Sequence, residues 1–69
     1  MKRPSDNELR GMTVNERIFM CNMVVKWDDA VKRRNRDEMV AVLRKVAMSV
    51  EQAQETTDAV LKNPTKYGF

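Results

Sequence analysis

Few side chains in this sequence could carry out chemistry, and the most versatile catalytic side chain, histidine, is absent. The 69 residues contain no histidine and one cysteine, Cys21. Histidine is the commonest general base at neutral pH and the commonest metal ligand, and without an imidazole nothing nearby activates the thiol. The two glycines, Gly11 and Gly68, are too few for a phosphate-binding loop. We therefore expect no enzymatic activity, no cofactor and no metal.

The acidic residues with helical spacing are Glu51, Glu55 and Asp58, which lie at positions i, i+4 and i+7. This spacing places three carboxylates along one stripe of a helix. A weakly held divalent cation is one interpretation of the stripe. A solvated polar face is the interpretation that we favour.

The basic residues are concentrated in one part of a chain whose net charge is +3. Such a cluster could contact the phosphates of a nucleic acid. The cations also lie where predicted helices end, which the helix dipole alone favours. The segment from Ser49 to Phe69 has three acids and two lysines, a net charge of −1, so it does not resemble a DNA-reading helix. Anion or nucleic-acid binding is therefore the alternative function, with these candidate contacts: Lys32, Arg33, Arg34, Arg36, Arg44 and Lys45.

Three local patterns predict where helices begin. A hydroxyl or amide side chain is followed three residues later by Glu or Gln, as in a capping box. The pairs are Thr13 with Glu16, Asn35 with Glu38, and Ser49 with Gln52. Pro64 disfavours helical geometry at the residue before it. The predicted helices lie near residues 14–34, 36–47 and 50–62.

Together these elements predict an all-α fold, a three-helix bundle formed by one domain over residues 13–69. Residues 1–12 contain Pro4 and Gly11 and little apolar surface, so they are predicted to be a flexible tail. Translation could begin at Met1 or at Met12. The last residues include Tyr67 and Phe69, and we expect this tail to fold back onto the core.

The first predicted helix is apolar on two sides. Its main stripe is expected to face the core and consists of Phe19, Met20, Met23, Val24, Trp27, Ala30 and Val31. A narrower strip on the opposite side consists of Ile18, Cys21 and Val25. The C-terminal tail could cover this strip. Alternatively, the strip is the interface with a second copy in a homodimer or with an unidentified protein.

The composition predicts a cytoplasmic protein. A single cysteine cannot form an internal disulfide, and this favours a reducing compartment. No apolar run approaches the roughly 18 residues of a membrane span. The N-terminus has basic residues without the apolar stretch of a signal peptide. We expect no membrane partner.

Three segments resemble a family of short, uncharacterised alphaproteobacterial proteins. They are Asn15-Glu16-Arg17-Ile18-Phe19, Asp29-Ala30-Val31-Lys32-Arg33-Arg34 and Asn63-Pro64-Thr65-Lys66-Tyr67-Gly68. The resemblance covers residues 13–68 and implies a bacterial protein. The family has no assigned activity, so the resemblance implies no catalytic or binding residues.

Overall fold

The computed structural model describes residues 3–69, so Met1 and Lys2 lie outside the described residues. Within residues 3–69 the chain is helical and forms no strand, which confirms the all-α class. The elements are α1 (Asp6–Arg10), α2 (Val14–Met20), α3 (Val24–Lys32), α4 (Arg36–Lys45), α5 (Val50–Lys62) and a 3-10 helix (Pro64–Tyr67).

Side-chain caps start four of these helices. Reciprocal capping boxes join Thr13 to Glu16 at α2 and Ser49 to Gln52 at α5, as predicted. A third joins Ser5 to Glu8 at α1. At α4, the Asn35 side chain accepts a hydrogen bond from the backbone N–H of Glu38. The carboxylate of Glu38 contacts Arg33 instead of returning to the cap.

Left-handed residues end three helices. Asn22, Arg34 and Ala47 have φ of 57°, 53° and 68°, and they follow α2, α3 and α4. After each one, the next backbone N–H donates to a carbonyl five residues earlier, as in a Schellman motif. These bonds join Met23 to Ile18, Asn35 to Ala30, and Met48 to Leu43. These three helices therefore end without a glycine in the left-handed position.

The prediction of one helix over residues 14–34 was wrong. The chain leaves helical geometry at Cys21–Met23, and the left-handed Asn22 separates α2 from α3. The periodic apolar residues continue across this break, so their spacing alone did not reveal it. Since α2 and α3 have separate axes, their buried faces are set independently, and the fold differs from the predicted three helices.

The prediction of a flexible tail over residues 1–12 was also wrong within the described residues. Asp6–Arg10 form α1, and the side chain of Leu9 is buried. The half-buried guanidinium of Arg17 holds this segment in place by donating to the carbonyls of Arg10 and Met12, each at 3.1 Å. It also donates to the carbonyls of Val46 and Ala47 after α4, each at 3.5 Å.

The core lies where α3, α4 and α5 pack together, with α2 against α3. It contains Ile18, Met23, Trp27, Ala30, Val31, Met39, Val42, Leu43, Val46, Met48, Ala53 and Val60. Thr57 on α5 is also fully buried, and its hydroxyl has no hydrogen-bond partner within the described residues. The C-terminal 3-10 helix contacts α5 but contributes no buried residue, and Tyr67 and Phe69 remain partly exposed.

Candidate interaction surface

The junction between α2 and α3 determines which apolar side chains face water. Ile18 is only 3% exposed, whereas the adjacent Phe19 is 72% exposed. Neighbouring residues on a helix point about 100° apart, and on α2 it is Ile18 that faces the core. Met20 and Val24 are also exposed large apolar side chains. The result is an apolar surface around the junction.

Two depressions adjoin this surface, and Phe19 and Val24 line both of them. The first depression has a volume of about 500 Å³, and its lining includes the buried Trp27, the carboxylate residue Asp28 and the C-terminal Phe69. The second has a volume of about 590 Å³, and its lining includes Met20, Cys21 and Arg3.

The predicted strip of Ile18, Cys21 and Val25 does not form one surface. Ile18 belongs to the core, so its assignment to an interface was wrong. Cys21 is half-buried and lines the second depression. Val25 is 81% exposed on α3. The break at Asn22 accounts for this separation, because residues before and after it no longer share a helical face.

The main stripe predicted for the first helix divides at the same break. Met23, Trp27, Ala30 and Val31 are buried as expected. Phe19, Met20 and Val24 were expected in the core and are exposed instead. Periodicity missed these three residues. The available signal was Asn22, since asparagine is the residue that most often replaces glycine in the left-handed position after a helix.

Two members of the basic cluster are neutralised by acids. Arg33 contacts Asp29 and Glu38. Arg36 makes two contacts with Asp58 on α5, at 2.8 Å from Nε and 3.2 Å from Nη2. The hydrogen bonds from Arg36 hold the pKa of Asp58 below its usual value. The structure therefore leaves less uncompensated positive charge at this junction than the sequence suggested.

The other four basic residues, Lys32, Arg34, Arg44 and Lys45, are exposed. Lys32 and Arg34 lie at the end of α3, and Arg44 and Lys45 lie in the last turn of α4. Since Arg33 and Arg36 are engaged with carboxylates, these four remain the residues of the cluster that could meet an anion.

The three carboxylates of the predicted acidic stripe on α5 are not all available to an external cation, because Asp58 is paired with Arg36. Among residues 3–69, no group of three cysteine or acidic side chains is arranged to hold a metal ion. The same residues include no helix that is long and apolar enough to cross a membrane.

No protein-family model matches this chain, and no curated protein or solved structure matches it either. The resemblance to short alphaproteobacterial proteins stays a prediction.

Proposed function

We propose that this protein functions by binding protein through the apolar surface around Phe19 and Val24, without catalysing a reaction. The observation that carries this proposal is the solvent exposure of Phe19. This residue is 72% exposed, although the adjacent Ile18 belongs to the core. Covering the roughly 100 Å² that such an aromatic side chain leaves in water would contribute on the order of 2 kcal/mol to binding.

The surroundings of Phe19 support a binding surface rather than one isolated apolar residue. Met20, Val24 and Val25 are exposed on the same two helices. Tyr67 and Phe69 add partly exposed aromatic rings at the first depression. Single exposed apolar residues are ordinary, but a group of this kind on a chain this small is typical of a contact site. Aromatic residues and methionine are also enriched in protein interfaces.

A photo-crosslinking experiment tests this proposal. A benzophenone-bearing amino acid would replace Phe19 in one variant of the full chain. In a second variant it would replace Val50, the exposed first residue of α5. After illumination in the cells that produce the protein, we expect position 19 to give discrete protein adducts heavier than the chain. Position 50 should give few. Equal or absent adducts at the two positions would contradict the proposal.

A further inference from the structure

We infer that residues 3–10 form a latch that detaches from the rest of the fold as one unit, and that its detachment uncovers the depression lined by Cys21. The latch consists of α1 and the residues directly before it, and it is attached to the remainder of the chain near both of its ends. This change involves the chain alone and does not depend on what the apolar surface binds.

Three contacts attach the latch. At its first residue, Arg3 donates from Nη2 to the carbonyl of Lys45, the last residue of α4, at 3.0 Å. At its last residue, the carbonyl of Arg10 accepts from Nη2 of Arg17 at 3.1 Å. Between these two points Leu9 is fully buried, and it is the one buried residue of the latch. A single side chain therefore supplies most of the apolar stabilisation that holds the segment in place.

The latch is too short to stay folded once it detaches. Its helix α1 has five residues, whereas an isolated helix needs roughly 12–15 residues to be even marginally stable in water. The ion pair between Arg3 and Asp6 lies within the latch and is exposed, so it adds little. Loss of the contacts made by Leu9 consequently releases the whole segment, and the opening is cooperative.

The main core does not require the latch. The cluster of buried side chains contributed by α2, α3, α4 and α5 does not include Leu9. The latch can therefore open while core residues such as Leu43 and Ala53 stay packed. Local openings of this kind cost less free energy than global unfolding, so they occur more often.

Opening the latch changes the surroundings of Cys21. Arg3 and Cys21 line the same depression, the second one described above. The two side chains are close enough for the cysteine to raise the pKa of the guanidinium. When the latch detaches, Arg3 leaves this depression, and water and solutes gain access to the half-buried thiol. The latch thereby controls entry to the depression.

Exchange experiments on the unmodified chain test whether these two events are one. The backbone N–H of Leu9 donates to the carbonyl of Ser5, and the N–H of Met12 donates to the carbonyl of Leu9. Hydrogen exchange at these two amides measures the opening of the latch, and the reaction of Cys21 with the neutral disulfide dithiodipyridine measures access to the depression. We expect the protection factors of the amides and the thiol to agree within about threefold, and to be lower than those of core amides in α5 by about tenfold or more.

Two results of these measurements would overturn the latch. A thiol protected as strongly as the core amides of α5 would react only after global unfolding. A thiol that reacts as fast as in the urea-unfolded chain would not be covered at all.

Leu9→Ala loosens the latch, and Leu61→Ala is its control. The control makes the same chemical change on α5, where Leu61 packs against the core. Removing the buried anchor should speed the reaction of Cys21 about tenfold or more, whereas Leu61→Ala should change it by less than about twofold. Equal acceleration by the two variants, or none by Leu9→Ala, would contradict the latch. Circular dichroism would verify that Leu9→Ala loses no more helix than α1 contains.

Arg3→Ala tests the attachment at the first residue, and Arg10→Ala is its control. The side chain of Arg10 contacts Asn7 within α1, whereas that of Arg3 reaches Lys45. Amide exchange is the readout, because removing a positive charge beside a thiol itself alters the reactivity of the thiol. Arg3→Ala should speed exchange at Leu9 by about two- to fivefold, and Arg10→Ala by less than about twofold. Equal exchange in the two variants would overturn the assignment of Arg3 to the latch.

Discussion

Arg36 and Asp58 join the first turn of α4 to the C-terminal half of α5 through two hydrogen bonds, at 2.8 and 3.2 Å. In the sequence they are 22 residues apart and belong to different patterns, a basic cluster and an acidic stripe. Each was a candidate for binding an external ion. In the structure each neutralises the other, and this contact is the basis of the first prediction.

The Arg36–Asp58 pair should make stability depend on pH only in the acid range. Arg36 lowers the pKa of Asp58 in the folded chain, so the stabilisation is fully present above the unfolded value of about 4 and is lost as the pH falls through the lower folded value. Asp58→Asn should therefore lower the urea midpoint at pH 7, and the difference from the parent should vanish toward pH 2. Glu55→Gln, on the same helix and outside this pair, is the control and should show a smaller effect.

Replacing Thr57 by valine should stabilise the protein, because it removes a buried hydroxyl group. Valine has nearly the shape of threonine and removes a polar atom that has no partner within the described residues. An unsatisfied buried polar group costs about 1–3 kcal/mol, so we expect Thr57→Val to raise the free energy of unfolding by about 1 kcal/mol. Urea denaturation would measure it. Thr56→Val on the adjacent half-buried position is the control, and a loss of stability at Thr57 would show that its hydroxyl is satisfied.

Substitution by glycine should stabilise the protein at Ala47 and destabilise it at Ala41. Ala47 has a φ of 68°, a conformation that costs a side-chain-bearing residue about 1–2 kcal/mol and costs glycine little. Ala41 lies inside α4, where glycine is about 1 kcal/mol less favourable than alanine. Ala47→Gly should raise the melting temperature, and Ala41→Gly should lower it. If both substitutions lower it, Ala47 does not adopt the left-handed conformation in solution.

Arg17 should contribute more to stability than an exposed arginine. Its guanidinium donates to carbonyls at the end of α1, just after α1 and just after α4, so its removal leaves these groups without their donor. Hydrogen bonds from charged groups contribute about 1.5–3 kcal/mol, and we expect a loss of about 2 kcal/mol for Arg17→Ala in urea denaturation. Arg44→Ala removes the same charge from an exposed site on α4 and should stay within about 0.5 kcal/mol of the parent. Equal losses would contradict the role assigned to Arg17.

Predictions from the sequence succeeded where the determining contacts are a few residues apart. The capping boxes at Thr13 and Ser49 depend on a spacing of three residues, which one helical turn fixes. The box at Ser5 with Glu8 has the same spacing. The low apolar content of residues 1–12 favoured a flexible tail, and the burial of Leu9 that accompanies this helix is a tertiary contact.

The periodicity of the first predicted helix did not determine which of its side chains face water. Val25 is exposed, whereas Ile18 and Phe19 exchange the roles that the periodicity assigned to them. The spacing of the apolar residues continues unchanged past Asn22, so it does not show that α2 ends there and a separate helix begins. The charges of Arg36 and Asp58 were visible, but not their pairing, since it depends on how α4 packs against α5.

The sequence by itself determined the helical class, several helix starts and the buried residues of α3, because hydrogen bonds and periodicity within one turn are local properties. Only the tertiary structure decided the break between α2 and α3 and the side of α2 that faces water. A left-handed Asn22 costs backbone energy, and burial of Ile18 and Met23 in the same core offsets it. That balance depends on residues far away in the sequence, and its consequence is the exposure of Phe19.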